Sequence, residues 1–246
     1  MKILLNGALG KMGKQIIAAV ENSKELSFAG FVDKCFEAAD ETHFSSMPNE
    51  DIGADVIIDF SHHSSVFAIS EYAKKFGTPV VICTTGHTAS ELECINELAN
   101  AVPVFFSANM SMGIALTVEL AKKSASVFPN ADIEIIEKHH SAKLDSPSGT
   151  ALMLADAIRG VRENMTLMLG RSGRRVREKN EVGIHAVRAG SIVGEHEVII
   201  ATEHEIITVS HSASSRSVFA DGAINAAKWL LGKESGLYTM QSLVNN

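Results

Sequence analysis

The sequence of 246 residues is poor in the features that mark secreted, membrane and nucleic-acid-binding proteins. It has three cysteines, Cys35, Cys83 and Cys94, and no CxxC spacing, so we expect reduced thiols rather than a disulfide framework. It has no run of 18 apolar residues and no apolar leader, which predicts a cytoplasmic protein without a membrane partner. Acidic residues outnumber basic ones, 29 to 22, and the net charge of -7 argues against a nucleic-acid partner.

Strand-like and helical segments alternate through the first 108 residues. The apolar or β-branched runs predicted as strands are 2–6, 26–31, 56–59, 79–83 and 104–106, and helical patterns cover 11–22, 65–76 and 89–101. Alternation of this kind predicts βαβ units, a parallel sheet and right-handed crossovers.

The glycines after the first strand suggest what this sheet binds. The segment Gly7-Ala8-Leu9-Gly10-Lys11-Met12-Gly13 joins that strand to the first helix with GxxGxxG spacing, a relative of the dinucleotide fingerprint. Asp33 follows the second strand, where a carboxylate would bind the ribose hydroxyls. Lys34 beside it could accommodate a 2′-phosphate, so the choice between NADH and NADPH stays open.

Two later loops also follow strands of this sheet, at the edge where ligands bind in open α/β folds. One contains Cys83, Thr84 and Thr85, and the other contains Ser107, Ala108, Asn109 and Met110. Their small and hydroxylated residues would let a nicotinamide and its ribose approach the backbone. Ordinary turn chemistry explains the same composition equally well.

The remaining sequence predicts a second unit. Helical patterns at 114–126 and 150–161 are mixed with strand patterns at 133–138, 184–188, 197–202 and 206–211, and a last helix covers 218–231. We therefore predict an α/β protein with a Rossmann dinucleotide-binding domain over residues 1–108, completed by 213–246. A central α+β domain with a mixed sheet would cover residues 109–212.

Two adjacent imidazoles and an ammonium lie within five residues, His139-His140-Ser141-Ala142-Lys143. A Pro-Ser-Gly-Thr turn and a helix that begins near Gly149 and Thr150 follow at once. Proton-transfer groups would then lie beside a helix start, where free N–H groups favour anions. This predicts chemistry on a small carboxylate.

Simpler interpretations of the same residues exist. A solvated histidine pair is common on loops, Lys143 could be an exposed lysine, and Ser148 could only cap a helix. Half of a zinc site is a further possibility, but the other histidines are scattered over later strands, so we expect no metal.

The segment 139–151 resembles the signature of the 4-hydroxy-tetrahydrodipicolinate reductase (dihydrodipicolinate reductase) family. The similarity extends over nearly the whole chain, through segments 6–13, 84–86, 108–111, 183–188, 191–196 and 211–216. Cys83 and Ala189 stand where the family usually has glycine, and Ser107 replaces a common alanine. The segment 34–55 is short beside longer members of the family.

The resemblance implies NAD(P)H-dependent reduction of a cyclic imine dicarboxylate, with loss of water, in the diaminopimelate route to lysine. It also implies a homotetramer and assigns substrate binding and tetramerisation to the domain 109–212. His139 then resembles the proton-transfer residue and Lys143 the proton donor, and spacing alone does not decide between them. His140, Gly149 and Thr150 resemble the substrate-carboxylate contacts. The nicotinamide-nucleotide contacts would be Gly7, Ala8, Leu9, Gly10, Lys11, Met12, Asp33, Lys34, Cys83, Thr84, Thr85, Ser107, Ala108, Asn109 and Met110.

Two other functions fit part of the sequence. Another two-domain Rossmann dehydrogenase would explain the glycines and Asp33, but not the segment from His139 to Thr150. A nucleotide-binding redox sensor without turnover would explain the first half alone and would leave His139 and Lys143 without a role.

Overall fold

The computed structural model of the chain describes residues 1–37 and 40–245. The chain forms two compact units, Met1–Met112 with Arg216–Asn246 and, between them, Gly113–Ser215. Ala38, Ala39 and Asn246, which belong to the predicted dinucleotide-binding domain, lie outside the described residues. Within the described ranges, none of the helices is both long and apolar enough to cross a bilayer.

A parallel sheet forms the centre of the first unit, in the order β3-β2-β1-β4-β5-β6-β12. Numbered along the chain, its strands are β1 (Lys2–Asn6), β2 (Ser27–Val32), β3 (His43–Phe44), β4 (Val56–Asp59), β5 (Val80–Ile82), β6 (Pro103–Phe106) and β12 (Gly236–Tyr238). The chain winds outward from β1 in one direction and from β4 in the other. The switch point between β1 and β4 is where sheets of this kind bind ligands.

The helices of the first unit cover this sheet. They are α1 (Lys11–Glu21), α2 (Val66–Phe76), α3 (Ala89–Ala99), α6 (Ser217–Leu230) and α7 (Met240–Val244), with a 3₁₀ turn at His63–Ser65. Ile3, Leu4 and Leu5 of β1 are completely buried, as expected for a strand covered on both faces. Trp229 of α6 makes edge-to-face contacts with Phe105 and Tyr238, which fastens this helix to β6 and β12.

The second unit contains a five-stranded sheet in the order β11-β10-β7-β9-β8. Its strands are β7 (Asp132–His139), β8 (Thr166–Leu169), β9 (Glu181–Arg188), β10 (Gly194–Ala201) and β11 (Ile206–Ala213). β9 is parallel to β7 and β8, whereas β10 is antiparallel to β7 and β11. The structure thus confirms the predicted combination of a parallel Rossmann-like sheet with a second, mixed sheet.

Two helices, α4 (Met112–Val127) and α5 (Gly149–Arg159), form an apolar core with this sheet. The buried positions of β7 alternate along the strand, so Ile133 and Ile135 face the core. Glu137 and His139 continue the same alternation and are also buried. A carboxylate and an imidazole thereby enter the rim of an apolar core, where each needs a polar partner.

The sequence patterns do not predict four of these elements, β3, β8, β12 and α7. The three strands have two to four residues and depend on pairing with β2, β9 and β6. The five-residue α7 begins with a capping box at Thr239. Segments this short have no periodicity of their own, so the three strands are defined only by their tertiary neighbours.

Candidate active site

The junction of β1 and α1 can be built only with glycine at two positions, one in the loop and one in the first turn of α1. Gly7 has φ +84°, and a Cβ there would lie 2.7 Å from the backbone of Phe60. A Cβ on Gly13 would lie 2.3 Å from the carbonyl oxygen of Gly7. The first turn of α1 therefore lies directly against the ends of β1 and β4, and it carries no acidic residue that would repel an anion.

A cavity of about 450 Å³ opens beside this loop. Its lining consists of Asn6, Gly7, Gly10, Val32, Asp33, Lys34, Ser45, Ser46, Met47, Phe60, Ser61, His62, Ser65 and Ala68. The structure brings the predicted residues Gly7, Gly10, Asp33 and Lys34 together in one site. It also adds the hydroxyls of Ser45 and Ser46, which sequence reasoning missed because they lie in the irregular segment before β4.

The carboxylate of Asp33 holds the glycine loop as well as facing the cavity. Its Oδ2 accepts a hydrogen bond from Leu9 N at 3.0 Å, and its Oδ1 accepts one from Cys35 N at 3.0 Å. A carboxylate has about four acceptor positions. Two of them remain for ligand hydroxyls, one on each oxygen.

Asp59, at the end of β4, is a buried carboxylate that sequence reasoning did not single out. It accepts hydrogen bonds from Asn6 Nδ2 (2.9 Å), Ser61 Oγ (2.5 Å) and Thr84 Oγ1 (3.1 Å). Burial raises the pKa of Asp59 despite these bonds. It ties together the ends of β1, β4 and β5, and the signal was present as a lone acid closing a fully apolar strand.

The predicted contacts after β5 line a smaller cavity of about 230 Å³. Cys83, Thr84 and Thr85 share this lining with Phe60, Ser61, His62 and His63. The three residues from Phe60 to His62 also line the larger cavity, so the two cavities are neighbours along one edge. Burial, together with the negative charge of Asp59, raises the pKa of the Cys83 thiol well above its usual value, which makes Cys83 a packing residue rather than a nucleophile.

The segment after β6 lies farther along the same edge. Ser107 Oγ donates to the Asn109 carbonyl oxygen at 2.8 Å, and Asn109 Oδ1 accepts from Ser111 N at 2.9 Å. A Cβ on Gly222 of α6 would lie 1.7 Å from the Met110 carbonyl oxygen. The close approach of this helix fixes Met110, whose side chain is buried.

These features fit a nicotinamide dinucleotide. The glycine loop leaves room for a pyrophosphate that a Cβ would fill, and the start of α1 presents free N–H groups to it. The remaining acceptor positions of Asp33 suit ribose hydroxyls.

In the second unit, β7 places Glu137 and His139 two residues apart on its buried face. Glu137 Oε2 lies 2.5 Å from His139 Nδ1, and the Glu137 side chain is 0% exposed. Since an ionised carboxylate can only accept, His139 Nδ1 carries the proton in this bond. The other nitrogen of the ring, Nε2, is then the one available for chemistry.

Two further groups complete the surroundings of Glu137. Arg188, which pairs with His139 in the register of β7 and β9, donates Nη1 to Oε2 (2.9 Å) and Nη2 to Oε1 (2.7 Å). Ser148 N donates to Oε1 at 3.0 Å. Burial alone would raise the pKa of Glu137, but the hydrogen bonds from Arg188, His139 and Ser148 outweigh it, so the pKa is lowered and the carboxylate is charged.

A second imidazole lies against the first. The rings of His139 and His196 meet edge to face with centroids 5.2 Å apart, and His196 Nε2 lies 3.1 Å from Ser148 Oγ. Burial, then the neighbouring His139, lowers the pKa of His196 to about 4. His196 is thus neutral near pH 7 and serves as a polar packing partner.

The loop between β7 and α5 carries the remaining predicted residues. Lys143 Nζ lies 2.7 Å from Asp145 Oδ1, and this ammonium lowers the pKa of Asp145. Arg188 Nη2 donates to the Asp145 carbonyl oxygen at 2.6 Å, and Lys143 N donates to the His140 carbonyl oxygen at 3.1 Å. These bonds hold the loop beside the Glu137 network.

Gly149 and Thr150 are the first two residues of α5. Ser148 caps the helix, since its Oγ accepts a hydrogen bond from Ala151 N at 3.2 Å. The helix start is therefore linked to Glu137 through Ser148 N, and it offers free N–H groups to an anion. Sequence reasoning missed the roles of Glu137 and Arg188, although both belong to segments that it singled out.

Across residues 1–37 and 40–245, no three His, Cys, Asp or Glu side chains are grouped so that they could hold a metal ion.

Two family models match the chain in succession. The model for "Dihydrodipicolinate reductase, N-terminus" matches residues 1–110, and the model for "Dihydrodipicolinate reductase, C-terminus" matches residues 113–244. Together they cover both units and confirm the resemblance that the motifs indicate.

Individual relatives agree with these models. The 4-hydroxy-tetrahydrodipicolinate reductase of Clostridium novyi (strain NT) is 47% identical, covering 100% of this chain and 98% of the relative. That of Caldanaerobacter subterraneus subsp. tengcongensis is 46% identical, covering 99% and 98%. Among solved structures, the dipicolinate-bound dihydrodipicolinate reductase from Paenisporosarcina sp. TG-14 is similar with a TM-score of 0.82 and 25% identity, covering 100% of this chain and 98% of that one.

Proposed function

This chain belongs to the dihydrodipicolinate reductase family, and we propose that it reduces 4-hydroxy-tetrahydrodipicolinate to tetrahydrodipicolinate with NADH or NADPH, releasing water. The reaction belongs to the diaminopimelate route of lysine biosynthesis. The single observation in the structure that best supports the proposal is the charged, buried Glu137, which orients His139 and is bonded to the start of α5.

The first unit binds the cofactor through the residues that the sequence motifs indicate. The start of α1 and the loop from Gly7 to Met12 take the pyrophosphate, and Asp33 takes the adenosine ribose. The cation of Lys34 beside Asp33 supports acceptance of both NADH and NADPH. The loops at Cys83, Thr84 and Thr85 and at Ser107, Ala108, Asn109 and Met110 serve the nicotinamide half.

When bound, the reduced nicotinamide supplies a hydride to the substrate ring. The chain itself must then deliver a proton to the neighbouring ring carbon and hold the two carboxylates. His139 and Lys143 are the proton-transfer pair, and a positioned acid of this kind accelerates a reaction by about 10²–10⁴-fold. The free Nε2 of His139, with Nδ1 held by Glu137, supports its part in this step.

The substrate carboxylates bind His140 and the N–H groups at Gly149 and Thr150. Dipicolinate, which the Paenisporosarcina relative binds, is itself a ring with two carboxylates, and this supports a cyclic dicarboxylate as the substrate here. The ammonium of Lys143 would balance negative charge that develops on the ring.

The working form is a homotetramer in the cytoplasm. In support of the assembly, every second residue of β11 is exposed on the face of the second sheet opposite α4 and α5, and such an edge strand favours a covering partner. Light scattering that gave the mass of one chain would contradict the tetramer.

One assay tests the function. The substrate is generated by the upstream synthase, this protein is added, and oxidation of NADH and of NADPH is followed separately. Consumption of either cofactor that depends on the synthase supports the proposal. Binding of NADH without its oxidation would favour a redox sensor, and oxidation with a different acid alone would favour another dehydrogenase.

Two variants test the assigned residues. His139→Gln should lower kcat strongly with a smaller change in KM, and Lys143→Ala should impair both constants. Wild-type turnover in both variants would show that neither group transfers the proton.

A further inference from the structure

The carboxylate of Glu137 binds groups from three parts of the second unit: His139 of β7, Arg188 of β9 and Ser148 before α5. Every acceptor position of this carboxylate is filled. Oε1 accepts from Arg188 Nη2 (2.7 Å) and Ser148 N (3.0 Å), and Oε2 accepts from Arg188 Nη1 (2.9 Å) and His139 Nδ1 (2.5 Å). A carboxylate has about four such positions. No other group could therefore be added, and none of the four donors can turn away without losing a partner.

Each of these bonds leads to a group with an assigned task. His139 is the proton-transfer residue, and its Nδ1 bond to Glu137 leaves Nε2, which lies beside Gly194, without a hydrogen bond to the described part of the chain. Ser148 precedes Gly149 and Thr150 at the start of α5. Arg188 also donates to the Asp145 carbonyl oxygen at 2.6 Å, which fixes the loop that carries Lys143.

We propose that Glu137 is the positioning residue of the active site: its carboxylate sets the tautomer and orientation of His139 and holds the helix start and the Lys143 loop in register with it. This inference rests on the proposed function, because the tasks of His139 and the helix start come from there. Glu137 touches neither substrate nor cofactor in this assignment and acts through the three groups that it binds.

A glutamine at this position has the same shape but cannot make the same bonds. Its amide has one acceptor oxygen and one NH₂ donor, so one of the two donor pairs around Glu137 would face another donor. If the oxygen remains with Ser148 and Arg188, the NH₂ group faces His139 Nδ1. The imidazole must then accept at Nδ1 and carry its proton on Nε2.

Glu134 provides a matched control on the same strand. It lies on the opposite face of β7 and is also bonded to arginines and a histidine, with Arg171 Nη2 at 3.3 Å, Arg177 Nε at 3.2 Å and His185 Nε2 at 2.8 Å. Glu134→Gln therefore removes an equivalent charge from the same sheet without touching His139.

The experiment compares Glu137→Gln, Glu134→Gln and the wild-type chain. We expect Glu137→Gln to lower kcat about 10²-fold, the lower end of the contribution of a positioned acid, while the Kd for NADH changes less than twofold because its residues belong to the other unit. Glu134→Gln should keep kcat within twofold even if its melting temperature falls equally. Unchanged turnover in Glu137→Gln, or an equal loss in both variants, would overturn the proposal.

The tautomer of His139, measured by NMR, tests the positioning role of Glu137 independently of the proposed function. With ¹⁵N-labelled histidine, a two-bond ¹H–¹⁵N NMR correlation spectrum distinguishes the tautomers of each imidazole. The signals of His139 are assigned by their loss in His139→Gln. They should show the Nδ1–H form in the wild type and the Nε2–H form in Glu137→Gln. If the wild type reduces no substrate but shows this switch, the function is wrong and the positioning stands. If it turns over but His139 keeps the Nδ1–H form in the variant, the positioning is wrong.

Glu137→Asp tests the positioning role of Glu137 if the glutamine variant does not fold. It keeps the charge but withdraws the carboxylate by one methylene, so we expect the Nδ1–H form with kcat between those of the wild type and His139→Gln. A wild-type kcat in Glu137→Asp would contradict the need for this geometry.

Discussion

Replacing Asp33 by alanine should change the discrimination between the two nicotinamide cofactors. The carboxylate lies in the cavity beside Lys34, and each of its oxygens has one acceptor position left after bonding to Leu9 N and Cys35 N. In NADH these positions suit the two ribose hydroxyls. In NADPH one hydroxyl is replaced by a phosphate, which a carboxylate repels.

The size of the effect follows from these contacts. Hydrogen bonds to a charged group contribute about 1.5–3 kcal/mol, and partial exposure of Asp33 brings the net loss for NADH down to about 1.4 kcal/mol, which is a tenfold weaker binding. For NADPH, the lost hydrogen bond is offset by the removal of a repulsion of about 1–3 kcal/mol between charges ~5 Å apart. We therefore expect the Kd of NADH to rise about tenfold and that of NADPH to change by less than about threefold.

Fluorescence titration with each cofactor measures both constants in Asp33→Ala. Asp55→Ala is the matched control, because Asp55 Oδ2 accepts from a backbone N–H, that of Lys2 at 2.6 Å, at the opposite end of β1. Loss of the Leu9 bond weakens both cofactors alike, so the ratio of the two constants isolates the ribose contact. If both constants rise by the same factor, Asp33 serves only to hold the glycine loop.

Three further substitutions test the second unit. In Gly194→Ala, the new Cβ would lie 3.1 Å from His139 Nε2. Since Glu137 holds the ring in place, kcat should fall at least about tenfold while the fold is kept. An unchanged kcat would mean that Nε2 is not the reacting nitrogen. In Gly149→Ala, a Cβ meets no atom of the described residues within 4 Å. The melting temperature should therefore be unchanged or higher, while the KM for the dicarboxylate rises. An unchanged KM would show that this position does not contact the substrate carboxylate. His196 stays neutral in the folded chain down to pH about 4, against 6.5 unfolded, so folding stability should fall by about 2 kcal/mol from this residue between pH 7 and 5. Urea unfolding of His196→Gln should show a correspondingly smaller loss, and an equal loss would contradict the assignment.

The first unit could be predicted well because its signals are local. The apolar centre of β1, glycines at fixed spacing and an acid after β2 occur within 33 residues, and each imposes its geometry on its neighbours. The contacts of Asp59 and the place of Ser46 in the cavity could not be predicted in the same way. Asp59 acts through Asn6 and Thr84, 53 and 25 residues away in sequence, and only the parallel register of β1, β4 and β5 brings them together.

The second unit shows where sequence reasoning fails and what its failure indicates. The alternation of β7 predicts that Glu137 and His139 share the face of Ile133 and Ile135, and a charged residue on that face contradicts an apolar core. Its partner Arg188 lies 51 residues later, so the compensating charge is invisible without the parallel pairing of β7 and β9. A buried carboxylate whose partners are themselves an imidazole and a helix start costs desolvation energy that apolar residues would not. Stability alone does not require Glu137, and the conflict between pattern and burial is therefore best explained by the proton transfer proposed for His139.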